Sequence, residues 1–412
     1  MPRPAHLLMT CVVALLGLGV VMVHSAGQSV AGEAIDPVTL DTRMTVGAVL
    51  EPFLNKNLGY AVLAVGAMLL GSRVDLEGIF RGRGWWKNPV GWSLVVAFGL
   101  CVMTLVPGVG KSVNGASRWL VIGPPGVGIS FQPSELMKWT LVVGVAWWCA
   151  RRRGVMPRFF HGLLPGLLLT GLAVGVIVIE DLGTAVLIGA VAVGLLVAGG
   201  ARVWQLLLLL PVAAGGLVAA IVESPYRVKR LTAFMDPWAD ARGTGYHPIQ
   251  SMLAFAQGGP GGSGLGQSVQ KYYIPEDTTD FVFPILAEEL GFPGAVLVVG
   301  LFVAVLWLGL GIARDCPSMF GRLVALGVLL TVGMQAAMNL AVVTVVVPTK
   351  GIALPLISAG GTGWVFTAFA LGLVASLDNA RALGKSDPNH HGSAEARRHE
   401  VGTRRGTRAP AA

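Results

Sequence analysis

Residues 161–222 read HGLLPGLLLTGLAVGVIVIEDLGTAVLIGAVAVGLLVAGGARVWQLLLLLPVAAGGLVAAIV. Formal charge in this stretch is confined to Glu180, Asp181 and Arg202, which fall at the breaks between apolar runs at 161–178, 184–200 and 203–222. Each run of ~17–20 residues is long enough to cross a hydrocarbon core ~30 Å thick. Lipid offers no water to bond the backbone, so each run must close its own hydrogen bonds as a helix. Three such runs in succession predict an all-α integral membrane protein.

Working outward, further runs near 7–25, 58–72, 89–107, 133–149, 284–312, 323–347 and 353–376 bring the predicted bundle to about ten transmembrane helices. The 412 residues are 54% hydrophobic and 13% charged, with a mean hydropathy of +0.69. A soluble domain of this length carries about a quarter charged residues. The chain could hold two or three soluble domains, but the pattern leaves no room for them. One multi-spanning membrane domain is expected over 1–377. The basic segment 378–412 lacks apolar periodicity and is expected to be a disordered cytoplasmic tail. The first run follows Arg3 and precedes Ser25-Ala26-Gly27, as a signal peptide would. Its apolar part exceeds the ~7–15 residues of a signal core, so an uncleaved helix is expected.

The net charge is +8, and most of it flanks apolar runs. That is the positive-inside pattern of a multi-pass protein, so membrane lipids are expected as partners and nucleic acid is not. Loops holding Arg73, Arg81, Arg83 and Lys87, then Arg151 to Arg153 and Arg158, then Arg202, then Arg314 and Arg322 alternate with the others. They fall on one side with the C-terminal tail. This predicts cytoplasmic termini in the cell inner membrane and external loops at 27–57, 108–132, 223–283 and 348–352. Three external loops are also basic: Lys111 and Arg118; Arg227, Lys229, Arg230, Arg242 and Lys271; Lys350. An anionic external ligand would account for that departure. Cys11, Cys101, Cys149 and Cys316 have neither zinc nor CxxC spacing, so no disulfide frame or metal site is implied.

The loop 223–283 is long for a connection between membrane helices, and loops of that length tend to be functional or disordered. Its glycine-rich centre GGPGGSGLGQS (258–268) lacks the GK[ST] ending of a P-loop. Two readings stay open for it, a tight turn and backbone contact with phosphate. Residues 248–257 suit a short interfacial amphipathic helix. At the loop's end stand Glu276, Asp277 and Asp280. Thr279 or Asp280 suits an N-cap for the next helix; catalysis by a carboxylate is the other reading. Glu288 and Glu289 lie at membrane depth, where ionisable groups face a cavity or a partner. Trp119 suits an interfacial anchor, and Glu135 and Lys138 share a helix face and can pair. Gln335 and Asn339 share a face of the ninth run, and Lys350 precedes GIALPLISAGGTG (351–363).

Several longer motifs occur in one order: GASRW (115–119) with QPSELMK (132–138), DLGTA (181–185), KRLTAFMDPW (229–238), GYHPIQS (245–251), GLGQSVQK (264–271), IPEDTTDF (274–281), AEELG (287–291) and KGIALPLISAGG (350–361). Through these the chain resembles the SEDS proteins (shape, elongation, division and sporulation), particularly the FtsW-like division branch, over about residues 90–376. The resemblance implies a ten-helix peptidoglycan glycosyltransferase that polymerises lipid II on the outer face for septal wall synthesis. It also implies a class B penicillin-binding protein, a monofunctional transpeptidase, as partner, with other division proteins. The family's catalytic aspartate falls on Asp280. Glu276, Arg118, Lys138, Lys271, Lys350 and Glu289 fall on motif positions expected to serve the substrate. Three positions depart from the pattern: Thr278 replaces a histidine, Glu180 a proline and Ala359 a tyrosine.

The implied reaction is attack by a sugar 4-hydroxyl on the anomeric carbon of a lipid diphosphate donor, with Asp280 as general base. The charge developing on the diphosphate would be neutralised by Arg118, by the basic residues of the long loop or by a divalent cation, Mg2+ or Mn2+; no other cofactor is expected. The competing readings are a flippase for the lipid-linked precursor and a division scaffold. A transporter would carry its densest polar cluster near the midplane, often in an inverted repeat. Here that cluster is in the long external loop.

Overall fold

The computed structural model describes residues 3–27, 56–76, 78, 88–113, 116–122, 129–274, 279–359 and 361–382. Glu276, Asp277, Thr278, most of the 27–57 loop and the predicted tail beyond residue 382 lie outside them. Among the described residues ten helices have 16 or more residues: α1 Pro4–Gly27, α2 Lys56–Arg73, α3 Pro89–Thr104, α4 Pro133–Arg151, α5 Leu164–Glu180, α6 Leu182–Ala198, α7 Val203–Val222, α10 Val282–Asp315, α11 Met319–Val343 and α12 Thr362–Ala382. The shorter α8 (Pro225–Met235) and α9 (Tyr246–Gly258) fold the long connection between α7 and α10. Five helices are long and apolar enough to cross a membrane by length and composition: α1, α5 with the π turn Phe159–Leu163 before it, α7, α10 and α11. The chain is a helical, multi-pass membrane protein.

The helices begin where the sequence supplies a start signal. Asn88 accepts from the amide of Val90 at 3.0 Å, with Pro89 in the first turn of α3. Asp181 caps α6 through Thr184 N at 3.0 Å and Thr184 Oγ1 at 2.8 Å. Ser318 caps α11 through Gly321 N. Such caps satisfy amides that a helix start leaves unpaired. α1 packs as a bundle member, with Leu8, Val12, Leu15 and Met22 fully buried. α2 and α12 approach closely: a Cβ on Gly372 would lie 2.2 Å from Met68 O, the small-residue packing common between membrane helices. α7 is the exception, since Gln205 is its one buried residue.

Several boundaries differ from those expected. The last helix starts at Thr362, not near 353, because 351–359 form a folded connection rather than a helix. Residues 108–132 hold a three-stranded antiparallel sheet, β1 (Gly110–Val113), β2 (Ala116–Ile122) and β3 (Ile129–Phe131), with β2 in the centre. Its register pairs Gly110 with Leu120 and Leu120 with Phe131. α9 covers the amphipathic segment expected at 248–257, whereas α8 was not anticipated.

α10 is broken near its start. Its 34 residues would run ~50 Å if straight, but Gly291 sits at φ 65° and ψ −163°, with Pro293 just beyond. Pro293 removes an amide and the glycine adopts a conformation that other residues resist, so the helix kinks there. The segment before the kink is buried from Val282 to Glu289. It carries Asp280 at its leading end into the bundle.

Candidate active site

Arg118 stands on the central strand of the small sheet. Strand alternation puts it on the same face as Leu120, which is 7% exposed, so that face is turned inward. Arg118 Nε donates to Glu180 O at 2.9 Å, and Nη1 lies 3.6 Å from Asp181 Oδ2. Asp181 is therefore both the cap of α6 and the counter-charge of Arg118. The Arg118 side chain remains about a third exposed. A guanidinium offers five N–H donors in a fixed fork, so this one retains capacity for an anion.

Asp280 reaches the same neighbourhood. An ideal Cβ placed on Gly351 would lie 3.3 Å from Asp280 Oδ2 and 3.5 Å from Arg118 Nη1. The bare backbone of Gly351 thus leaves room for a carboxylate and a guanidinium, supplied from distant parts of the chain, to approach the same point. The cap position of α10 is Phe281, at φ −110° and ψ 21°, whose side chain cannot accept a hydrogen bond. The capping role expected for Thr279 or Asp280 does not fall on that position. Phe281 stacks on His247 of α9, with ring centroids 5.2 Å apart.

Lys350 is the neighbour of Gly351. It is partly buried, and that desolvation pushes its ammonium below the ordinary 10.5. A cation held partly out of water, next in the chain to the glycine that a carboxylate and an arginine approach, suits an anionic ligand. Lysine and arginine in such a place can neutralise charge on a leaving phosphate.

Other residues expected to serve the substrate are placed differently. Lys138 is 2% exposed; its ammonium bonds Glu135 Oε1 and Gln335 Oε1, both at 2.9 Å, and lies 2.8 Å from Glu135 Oε2. Lys271 is 3% exposed and donates to Gly266 O at 2.8 Å and Ser25 O at 3.4 Å. Glu289 is 1% exposed and accepts from Ser25 Oγ at 2.7 Å. These three contacts are internal. Lys138 joins α4 to α11, while Lys271 and Glu289 join the long connection and α10 to the end of α1. Glu276 lies outside the described residues.

The glycine-rich run also turns inward. Ser263 N and Gly264 N donate to the carbonyls of Glu288 and Glu289 at 2.8 and 2.9 Å. The Glu288 carboxylate accepts from Ser268 Oγ, and from Val269 N at 2.8 Å. Here the run is a tight turn fitted against the α10 kink. The loop arginines are partly structural too. Arg227 bonds Ala220 O at 2.8 Å and Val178 O at 2.9 Å, near the ends of α7 and α5. Cations suit helix C-termini, where carbonyls lack partners. Arg230 reaches Thr349 O at 3.3 Å, beside Lys350.

Residues 5–383 match the cell cycle protein family that groups FtsW, RodA and SpoVE. The chain belongs to this SEDS family. It is 38% identical over 383 residues to the probable peptidoglycan glycosyltransferase FtsW of Nitrosococcus halophilus, covering 92% of each chain. It is 34% identical over 376 residues to the stage V sporulation protein E of Bacillus subtilis, covering 91% of this chain and 96% of that one. Among solved structures, a chain of a peptidoglycan synthase complex described as coordinating polymerisation and crosslinking superposes with a TM-score of 0.67. That chain is 27% identical, with 91% of this chain and 97% of that chain covered. The rod shape determining protein RodA of Thermus thermophilus gives 0.58 at 26% identity, covering 91% and 96%.

Two of the departures from the family pattern lie among the described residues. Glu180, in place of a proline, accepts from the amide of Ser117 at 2.8 Å and ties the small sheet to the α5–α6 corner. No sequence signal links positions 63 apart. Ala359 is partly buried against the core. Thr278 lies outside the described residues.

Proposed function

We propose that this chain is a peptidoglycan glycosyltransferase that polymerises lipid II on the outer face of the cytoplasmic membrane, for septal wall synthesis. The observation that carries the site assignment is the convergence of Asp280 Oδ2 and Arg118 Nη1 on Gly351. A base and an anion clamp that approach one small residue together suit displacement at a carbon bearing a diphosphate. Asp280 takes the proton of the acceptor 4-hydroxyl as its oxygen attacks the anomeric carbon. The bond to the diphosphate breaks, and Arg118 with Lys350 receives the charge that develops on the leaving oxygen. Direct displacement inverts the anomeric centre. Lys138, Lys271 and Glu289 hold the surrounding elements in place.

Among the described residues no three His, Cys, Asp or Glu side chains come together to hold a divalent cation. In this reading all ten long helices cross the membrane, residues 223–283 are external and both termini are cytoplasmic. The structural relative that coordinates polymerisation and crosslinking supports a class B penicillin-binding protein as partner. The test is polymerisation of lipid II by purified protein and by Asp280→Asn. The amide nearly keeps the size of the carboxylate but cannot accept the proton, so a loss of at least ~10²-fold is expected, with lipid binding and thermal stability retained. Full activity in the variant would remove Asp280 from the mechanism.

A further inference from the structure

Asp280 lies at the end of a long connection, and such a position is held only if something fixes its backbone. Asn339, near the end of α11, supplies a direct tie. Its Nδ2 donates to Asp280 O at 2.8 Å and to Ile352 O at 2.7 Å. An amide nitrogen carries two hydrogens, and both are used here. One bond fixes the residue that carries the carboxylate. The other fixes the residue after Gly351, the point where that carboxylate meets Arg118.

The side chain is 1% exposed, and among the described residues its Oδ1 has no hydrogen-bond partner. An apolar residue would fill the space without leaving a buried oxygen unpaired, so packing does not explain an amide at this position. The two donors do. The orientation is fixed by the same contacts, because turning the amide over would set its oxygen against two carbonyl oxygens. One turn earlier on α11, Gln335 repeats the arrangement. It donates to Ala353 O at 3.0 Å and accepts from Lys138 Nζ at 2.9 Å. The Lys138 pair with Glu135 anchors that rung to α4. Residues 352 and 353 are thus held by adjacent rungs, and only the Asn339 rung extends to Asp280.

We infer that Asn339 is a positioning residue for this reaction, setting Asp280 against Gly351 and Arg118 without touching the substrate. The inference rests on the proposed role of Asp280, and the experiment separates the two. Purified full-length protein, Asn339→Leu, Asn339→Gln and Asp280→Asn are compared for kcat and KM on lipid II and for thermal midpoint in detergent. Asn339→Leu, similar in size and without donors, is expected to lower kcat at least tenfold, with KM within threefold and the midpoint little changed. Asn339→Gln, which keeps both N–H donors on a longer stem, is expected to recover part of the loss. Unchanged kcat in Asn339→Leu beside an inactive Asp280→Asn would overturn the positioning role alone. Full activity in Asp280→Asn would overturn the reading of the site beneath it. A fall of midpoint and kcat together in both Asn339 variants would assign the residue to folding. Should Asn339→Leu fail to insert, Asn339→Ala, which also lacks donors, takes its place under the same criteria.

Discussion

Arg118 keeps part of its guanidinium accessible beside Gly351, whereas Lys138 is enclosed by Glu135 and Gln335. Truncating these two cations should therefore have opposite signatures. Arg118→Ala removes a contact to developing charge, an effect of ~2.7–4 kcal/mol at the transition state. Turnover of lipid II should fall ~10²–10³-fold with little change in thermal midpoint, and unchanged turnover would leave Arg118 as an anchor of the sheet. Lys138→Ala leaves the Glu135 carboxylate without its cation, and breaking a buried pair costs about 3–5 kcal/mol. A lowered midpoint is expected there, before any effect on turnover. Lys350 gives a pH signature. Burial lowers its ammonium in the folded chain, so between that lowered value and 10.5 the unfolded chain binds more protons and stability rises with pH. Lys350→Met should be the more stable protein at neutral pH. Its advantage should shrink as pH approaches 10.5, read as the difference of two melting curves; a constant difference would contradict the assignment.

At the scale of elements, the α10 kink and the glycine-rich turn form one unit. Gly291 and Gly262 both have positive φ, and a Cβ on Gly291 would lie 2.3 Å from Gly262 N. Gly291→Ala thus meets both a strained conformation and a backbone clash, and should destabilise by more than the ~1–3 kcal/mol of strain alone. Gly266 shares a positive φ but has nothing within 4 Å of its Cβ position. Gly266→Ala should cost only the strain, and equal midpoints for the two variants would rule out this fit. Hydropathy revealed the long helices, because lipid-length apolar runs have few other uses. It misplaced the start of α12 for a physical reason: Ile352, Leu354, Leu356 and Ile357 are all at most 4% exposed. A connection buried inside a bundle is as apolar as a helix. The small sheet was hidden differently. Its outer strands are only 4 and 3 residues long, too short to display alternation, and the sheet's stability comes from pairing.

For the whole molecule, positive charge in external loops called for an anionic ligand, and the fold divides that charge. Arg227, Arg230 and Lys271 bind carbonyls of the protein itself, while Arg118 and Lys350 remain at the proposed site. Charge and motif identified the candidates, but the division depended on carbonyl positions that no linear pattern reports. The proposed topology is tested by Gln267→Cys, since Gln267 is exposed on the long connection. An impermeant thiol reagent should label it from outside intact cells, given that Cys101, Cys149 and Cys316 are buried. Labelling only after the inner membrane is opened would invert the orientation.

α7 resembles a string held at two pegs. Gln205 near its start bonds Pro157 O at 3.2 Å, and Arg227 just beyond its end holds Val178 O and Ile179 O. Between those ties its side chains are exposed on nearly every side, and in a bilayer they would face lipid. The surrounding amphiphile would then form part of the packing of this helix, and it differs between a native bilayer and a micelle. Solubilisation becomes a perturbation aimed at one element: delipidation in short-chain detergent should raise amide exchange first across 203–222, while α4, α6 and α11 stay protected. Returning phospholipid should restore it. A preparation that looks intact by its melting curve can therefore still differ from the native protein along this one helix.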